Sequence, residues 1–128
     1  EGSLLTVGQG KLYHTMLWMG PKGCVSPLHF DPLDNLLVQI EGRKIVHLVD
    51  PAKNSPDWLY AGPKYGQQTN TSAVADVERP NLVKYPLFTN VPMWTGEIRP
   101  GDVLYIPRKW WHHVRTLEHS ISVNAWWR

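Results

Sequence analysis

Frequent interruption is what most limits the folds open to this chain. Eleven prolines and ten glycines divide its 128 residues, and the apolar runs between them are short. Proline removes a backbone donor and glycine loses the most entropy on ordering, so both end regular elements. What lies between them alternates apolar with polar, the period of a half-buried strand. Strands are expected at Tyr13 to Met19, Cys24 to Asp31, Asn35 to Ile40, Arg43 to Val49, Met93 to Ile98, Val103 to Ile106, His113 to Thr116 and Ser120 to Trp127. Glu41-Gly42 is spaced as the two-residue turn of a hairpin between the third and fourth strands. Leu117-Glu118-His119 is expected to turn the last two strands into an antiparallel pair. About eight mostly antiparallel strands define an all-β chain, best met by a double-sheet jelly roll, or cupin-like barrel.

One stretch breaks this rhythm. Ala52 to Pro92 holds the turn signals Asn54-Ser55-Pro56, Gly62-Pro63 and Asn70-Thr71-Ser72, with a brief helical turn expected around Pro80 to Tyr85. An irregular insertion of this length in a small domain is often functional. It reads as an excursion over the mouth of a site, and equally as a connector covering a sheet edge.

Composition narrows the class. At 42% apolar and 19% charged residues the chain can bury a core, and its length suits a single domain over residues 1–128. Cys24 is the only cysteine, which excludes intrachain disulfides and cysteine-based zinc sites. A formal charge of +2 without a Lys/Arg block gives no footprint for nucleic acid. No apolar run approaches the roughly 20 residues of a membrane-spanning helix. Glu1-Gly2-Ser3-Leu4-Leu5 lacks the pattern of a signal peptide. An intracellular protein, cytoplasmic or nuclear and without a membrane partner, is the expectation.

The chemistry concentrates in Ser26-Pro27-Leu28-His29-Phe30-Asp31. Residues two apart on a strand face the same way, so His29 and Asp31 aim an imidazole and a carboxylate at one point. The spacing alone also fits turn chemistry at Asp31-Pro32. A second histidine from Trp110-Trp111-His112-His113-Val114 would complete two nitrogens and one carboxylate. That set leaves about half of an octahedral ion open, which suits ferrous iron taking up a co-substrate and dioxygen. His112 and His113 point to opposite faces, so only one can join.

Two further strands carry polar residues where apolar ones are expected. Lys44 shares a face with Val46 and Leu48. A buried ammonium needs an anion, and a carboxylate-bearing co-substrate would supply it; a lysine snorkelling from the strand's end fits the same pattern. Ser122, Asn124 and Trp126 share a face of the last strand, as the lining of a small wet cavity or as an ordinary half-exposed strand.

The segments SPLHFDPLDNLLVQIEGRKIVHLVDP, DVERPNLVKYPLF, RPGDVLYIPRKWWHHVRTL and SISVNAWW together resemble the Jumonji-C (JmjC) domain oxygenases, closest to their small hydroxylase-type members. The resemblance runs from about Leu17 to Trp127 and implies a double-stranded β-helix fold with Fe(II) and 2-oxoglutarate as cofactor and co-substrate. It matches His29, Asp31 and His112 to the iron ligands. Asn35 and Lys44 match 2-oxoglutarate positions, with Lys44 on the distal carboxylate and Ser26 beside it. Trp126 and Asn124 match the pocket lining. It implies hydroxylation of a C–H bond, on a protein or peptide side chain before a tRNA base or an N-methyl-lysine. A non-catalytic cupin-type binding module, or a metal-dependent isomerase on the same fold, is the alternative from another class.

Under that resemblance His113 becomes a rim or supporting residue. His14, His47 and His119 are surface or strand histidines with no tie to the site, and Arg99 and Arg115 are solvated. Trp58, Tyr60 and Trp94 are the expected bed for a peptide. Family members carry strands upstream of the barrel, with a tyrosine at the co-substrate carboxylate; this chain begins too late for them, and Tyr13 is a poor replacement. A fragment, or a minimal domain compensated by homodimerisation, is then expected.

Overall fold

The structure, a computed structural model, describes residues 11–128; the expectation for Glu1 to Leu5 lies outside them. Eight strands form: β1 (Leu12–Gly20), β2 (Val25–His29), β3 (Asp34–Glu41), β4 (Lys44–Val49), β5 (Trp94–Ile98), β6 (Val103–Ile106), β7 (Trp111–Thr116) and β8 (Ser120–Trp127). They make two four-stranded sheets, ordered β1-β8-β3-β6 and β2-β7-β4-β5. Every pairing between them is antiparallel. This is the all-β jelly roll expected from strand count.

The two expected hairpins do not form. β3 pairs with β6 and β8, and β4 with β5 and β7, so Glu41-Gly42 carries the chain from one sheet to the other. β7 and β8 likewise belong to opposite sheets. Alternation reports which face of a strand is buried and is silent about which strand lies beside it. The crossing explains Gly42. Its φ is +70°, and a Cβ there would sit 2.1 Å from the His119 carbonyl oxygen, so the two sheet-to-sheet connections touch backbone to backbone. Gln39 closes the same end, donating from Nε2 to the carbonyls of Glu41 and Gly42 and to Ser120 Oγ.

Apolar burial is divided between two places. Inside the barrel, Leu37, Val46 and Ile98 are buried together, flanked by Leu48, Leu104 and Val114. The larger cluster lies outside it: Leu28, Val49 and Trp111 point outward from β2, β4 and β7 and pack against Leu59, Tyr60, Val74, Val77 and Phe88. Each such side chain stabilises the fold by about 1.5–3 kcal/mol when fully buried.

Residues 52–92 are therefore mainly a cover for the outer face of one sheet, and only their Asn70-Thr71 corner reaches the rim. There Phe30 N–H donates to Asn70 O, and Thr71 bridges to His29. The segment contains short 3-10 turns at Pro51–Lys53, Pro63–Tyr65 and Pro86–Asn90. The helical turn expected near Pro80 to Tyr85 is a single turn closed by Tyr85 N–H donating to Asn81 O. No helix among the described residues is long and apolar enough to cross a membrane.

Candidate metal centre

Adjacent strands of one sheet bring the first three candidate ligands together. His29 on β2 is the register partner of His112 on β7, and Asp31 follows β2 directly. Donor atoms of His29, Asp31 and His112 all lie within 4.8 Å of one another. Asp31 Oδ1 is 3.9 Å from His29 Nε2, and Oδ2 is 3.6 Å from His112 Nε2. Both distances exceed a hydrogen bond and leave space between the groups.

Each imidazole is aimed by its other nitrogen. His29 Nδ1 lies 2.7 Å from Pro27 O and His112 Nδ1 lies 3.1 Å from Trp110 O. A carbonyl only accepts, so Nδ1 carries a proton in each ring and Nε2 is the nitrogen turned towards Asp31, the orientation that metal-binding histidines adopt. Burial, with His29 alongside, pushes the His112 imidazole down to about 4. It is neutral near pH 7, and a cation has no proton to displace there. Trp126 Nε1–H reaches Asp31 Oδ2 at 3.4 Å.

The triad opens into a cavity of about 570 Å³ between the sheets. Ser26, Asn35, Lys44, Asn124 and Trp126 all line it. Asn124 Nδ2 donates to Asn35 Oδ1 at 2.8 Å, fixing both amides. Lys44 is 8% exposed and its ammonium donates to Ser122 Oγ. Among the described residues no carboxylate lies within ion-pair distance of it, and burial lowers its proton affinity. Lys44 does not snorkel; its side chain is buried and lines the cavity from the start of β4, at the end away from the triad. Lys44 pairs with Thr116 and Leu48 with His112 on the same ladder. The ammonium and the triad thus stand four residues apart along the strands, roughly 13 Å of backbone.

The sequence did not reveal Trp18, Thr71 and Thr116, which also line this cavity. Trp18 follows from the inward alternation of β1; Thr71 arrives from the irregular segment and left no periodic signal. His14 stacks on Trp126 with centroids 5.6 Å apart, so it touches the rim after all. Trp58, Tyr60 and Trp94 do not line the cavity. Tyr60 is buried in the outer cluster, and Trp94 packs edge-on against Trp110.

His113 and His47 depart furthest from expectation. Both are buried, at 2% and 7% exposure, on the outer face of the sheet, where they are register partners. With Glu78 they make a second compact group of donor atoms within 4.8 Å. Arg115 is not free either: its guanidinium grips Glu78 through Nε–Oε1 at 2.5 Å and Nη2–Oε2 at 2.9 Å. Arg99 pairs with Glu97 at 3.2 Å while remaining largely exposed.

A double-sheet barrel with two imidazoles and a carboxylate at its mouth defines a cupin-type protein. The chain belongs to the cupin-like domain family, whose model matches residues 5–128. It is 44% identical over 110 residues to lysine-specific demethylase 8 of Danio rerio, covering 86% of this chain and 26% of that protein. It is 42% identical to Jumonji C domain-containing protein 5 of Drosophila melanogaster, with the same coverage. To human tRNA wybutosine-synthesizing protein 5 it is 36% identical over 100 residues, 78% of this chain and 29% of that one. The crystal structure of Escherichia coli ycfD superposes with a TM-score of 0.60 over 91% of this chain and 26% of that chain. At 20% identity that likeness concerns the fold alone. The chain spans about a quarter of the length of these relatives.

Proposed function

We propose that this chain is the catalytic barrel of an Fe(II)- and 2-oxoglutarate-dependent oxygenase that hydroxylates a C–H bond, on a protein side chain in the first instance. The observation that carries the reading is Lys44: a buried ammonium with no carboxylate in ion-pair distance among the described residues, in the same cavity as a His-Asp-His triad. Such a cation asks for an anion, and the cavity between it and the triad is open for one.

The residues fit the metal. Two imidazoles and one carboxylate with open positions suit non-haem Fe(II), and His29, Asp31 and His112 would hold it. When bound, the iron supplies the oxidising chemistry with dioxygen and 2-oxoglutarate. The protein's part is positional. Lys44, steadied by Ser122 and with Ser26 on the same wall, would pair the distal carboxylate of the co-substrate. The Asn35–Asn124 pair presents a fixed amide edge to its middle, and Trp126 walls the pocket beside Asp31. The inward residues Leu37 and Val114 add apolar surface to that space.

The cavity lining contains a single cationic side chain, Lys44, and it is buried. Nucleic acid binding draws on several exposed Lys or Arg residues. This favours a peptide over a tRNA substrate, although relatives are named for lysine demethylation and for wybutosine synthesis alike. Calorimetry with Fe(II) and 2-oxoglutarate under anaerobic conditions, followed by succinate release in air, tests the proposal. Ordered binding of both with succinate formed is the expected result. Binding of neither would return the chain to the class of cupin-type binding modules.

A further inference from the structure

Behind the wall that carries His112 lies a second group of the same chemical kind. His47 and His113 face each other across β4 and β7 on the outer side of the sheet, with centroids 5.5 Å apart. Glu78 reaches them from the covering segment, its Oε1 3.9 Å from His47 Nε2. That is also the separation of His29 Nε2 and Asp31 Oδ1 in the inner triad.

Each imidazole of this group has one unsatisfied nitrogen among the described residues. His47 Nδ1 is engaged with Thr95 Oγ1 at 2.8 Å, which turns Nε2 towards Glu78. His47 Nε2 and His113 Nδ1 are both buried without a hydrogen-bond partner among the described residues. Two orphaned imidazole nitrogens on side chains more than nine-tenths buried are costly unless something occupies the space between them. A direct His–Glu hydrogen bond does not answer this, since 3.9 Å is too long. Glu78 is itself oriented by the Arg115 fork, as ligating carboxylates commonly are.

We propose that His47, His113 and Glu78 form a second divalent-metal site, of the zinc class, that clamps the 52–92 segment onto the outer face of β4 and β7. Two imidazoles and one carboxylate are a zinc donor set, with a fourth position left for water on the exposed Glu78 side. Zinc–ligand distances of about 2.0–2.2 Å require the three groups to draw in by roughly an ångström. Glu78, on an irregular segment, would make that movement together with the Arg115 fork that holds it. The site is independent of the oxygenase reading: it shares no ligand with the inner triad and lies on the other side of the sheet.

The test uses the metal-stripped full chain and Zn(II) alone. In an Asp31→Ala/His112→Ala variant, which lacks the inner set, equilibrium dialysis should still find one zinc per chain. X-ray absorption of that sample should report two imidazole nitrogens. Adding His113→Phe should abolish the retained zinc; zinc that survives it, or its absence from the parent variant, overturns the site and leaves a water between the nitrogens. Should those variants fail to fold, Glu78→Gln in the otherwise unaltered chain decides. It should weaken the second zinc equivalent by about tenfold or more while sparing the first. Equal affinity for the second equivalent would overturn the proposal.

Discussion

His112 and His113 are neighbours in sequence and lie on opposite sides of one sheet. The inner histidine joins His29 and Asp31 at a cavity; the outer one joins His47 and Glu78 beneath a covering segment. The two groups have the same donor types and similar spacing, and differ in what holds them. The inner imidazoles are aimed by the backbone carbonyls of their own strand neighbourhood, Pro27 and Trp110. The outer group depends on Thr95 from β5, and on an arginine that already grips its carboxylate. Strand alternation alone creates both faces. What separates them is access: the inner face opens to a cavity lined by the buried Lys44 ammonium, and the outer one is roofed by Leu59, Val74 and Val77.

The strongest way to break this contrast is Asp31→Ala. If the inner triad is the iron site, the substitution weakens anaerobic Fe(II) binding by more than the roughly 10- to 100-fold typical of merely supporting residues. Dialysis with metal analysis measures it, and unchanged iron affinity would transfer the metal to the outer group. Lys44→Met comes next. Losing a charge-assisted hydrogen bond of about 2 kcal/mol should weaken 2-oxoglutarate about 30-fold by calorimetry, with iron binding spared. The same change removes a buried ammonium that has no carboxylate partner among the described residues. The ligand-free variant should therefore unfold at higher urea concentration than the parent. Loss of both stability and affinity would mean that Lys44 serves the fold.

That the inner residues face one space was legible because all but Asp31, which directly follows β2, sit on strands. His29, Asn35, Lys44, Asn124 and Trp126 each occupy the inward phase of a strand, and a period of two places them without knowledge of which strands pair. The same period could not say that Glu41-Gly42 crosses between sheets, since pairing is a long-range property set by how two apolar faces close on each other. It also missed the outer group. His47 and His113 occupy the phase that reads as solvent in a two-sheet barrel. Only the 52–92 segment makes that phase an interior, and its turn-rich sequence has no periodicity to announce Val74, Val77 or Glu78. Tyr60 was misplaced at the mouth for that reason: an aromatic in an irregular segment gives no sign of which surface it covers.

Acid should expose the contrast in the metal-free chain. His112 lies well below its ordinary value of 6.5 in the folded state, at about 4, chiefly because of burial. The unfolded chain then binds the extra proton first. Its contribution to stability is complete above pH 6.5 and is lost as pH falls towards 4. Between pH 7 and pH 6 that loss is about 0.7 kcal/mol, and it steepens below. Burial shifts His47 and His113 in the same direction, so the outer group adds to the slope. Urea midpoints across this range measure it. His112→Asn should flatten the inner share alone, and a profile identical to the parent would mean that the outer pair carries all of the sensitivity.

The smallest effect belongs to Trp126→Phe. The indole N–H approaches Asp31 Oδ2 at 3.4 Å, longer than a good N–H···O bond, and its ring also stacks on His14. Phenylalanine keeps an aromatic wall and removes only the donor. A weak bond to a carboxylate is worth about 0.5 kcal/mol, so Fe(II) affinity should fall about twofold. The sign is informative even at that size. A donor that merely orients Asp31 costs affinity when removed, as Arg115 would for Glu78 on the outer face. A donor that competes with the metal for the same oxygen would raise affinity when removed. Tighter iron binding in Trp126→Phe would therefore mean that the indole competes for Oδ2, and that the metal is held through Oδ1 beside His29.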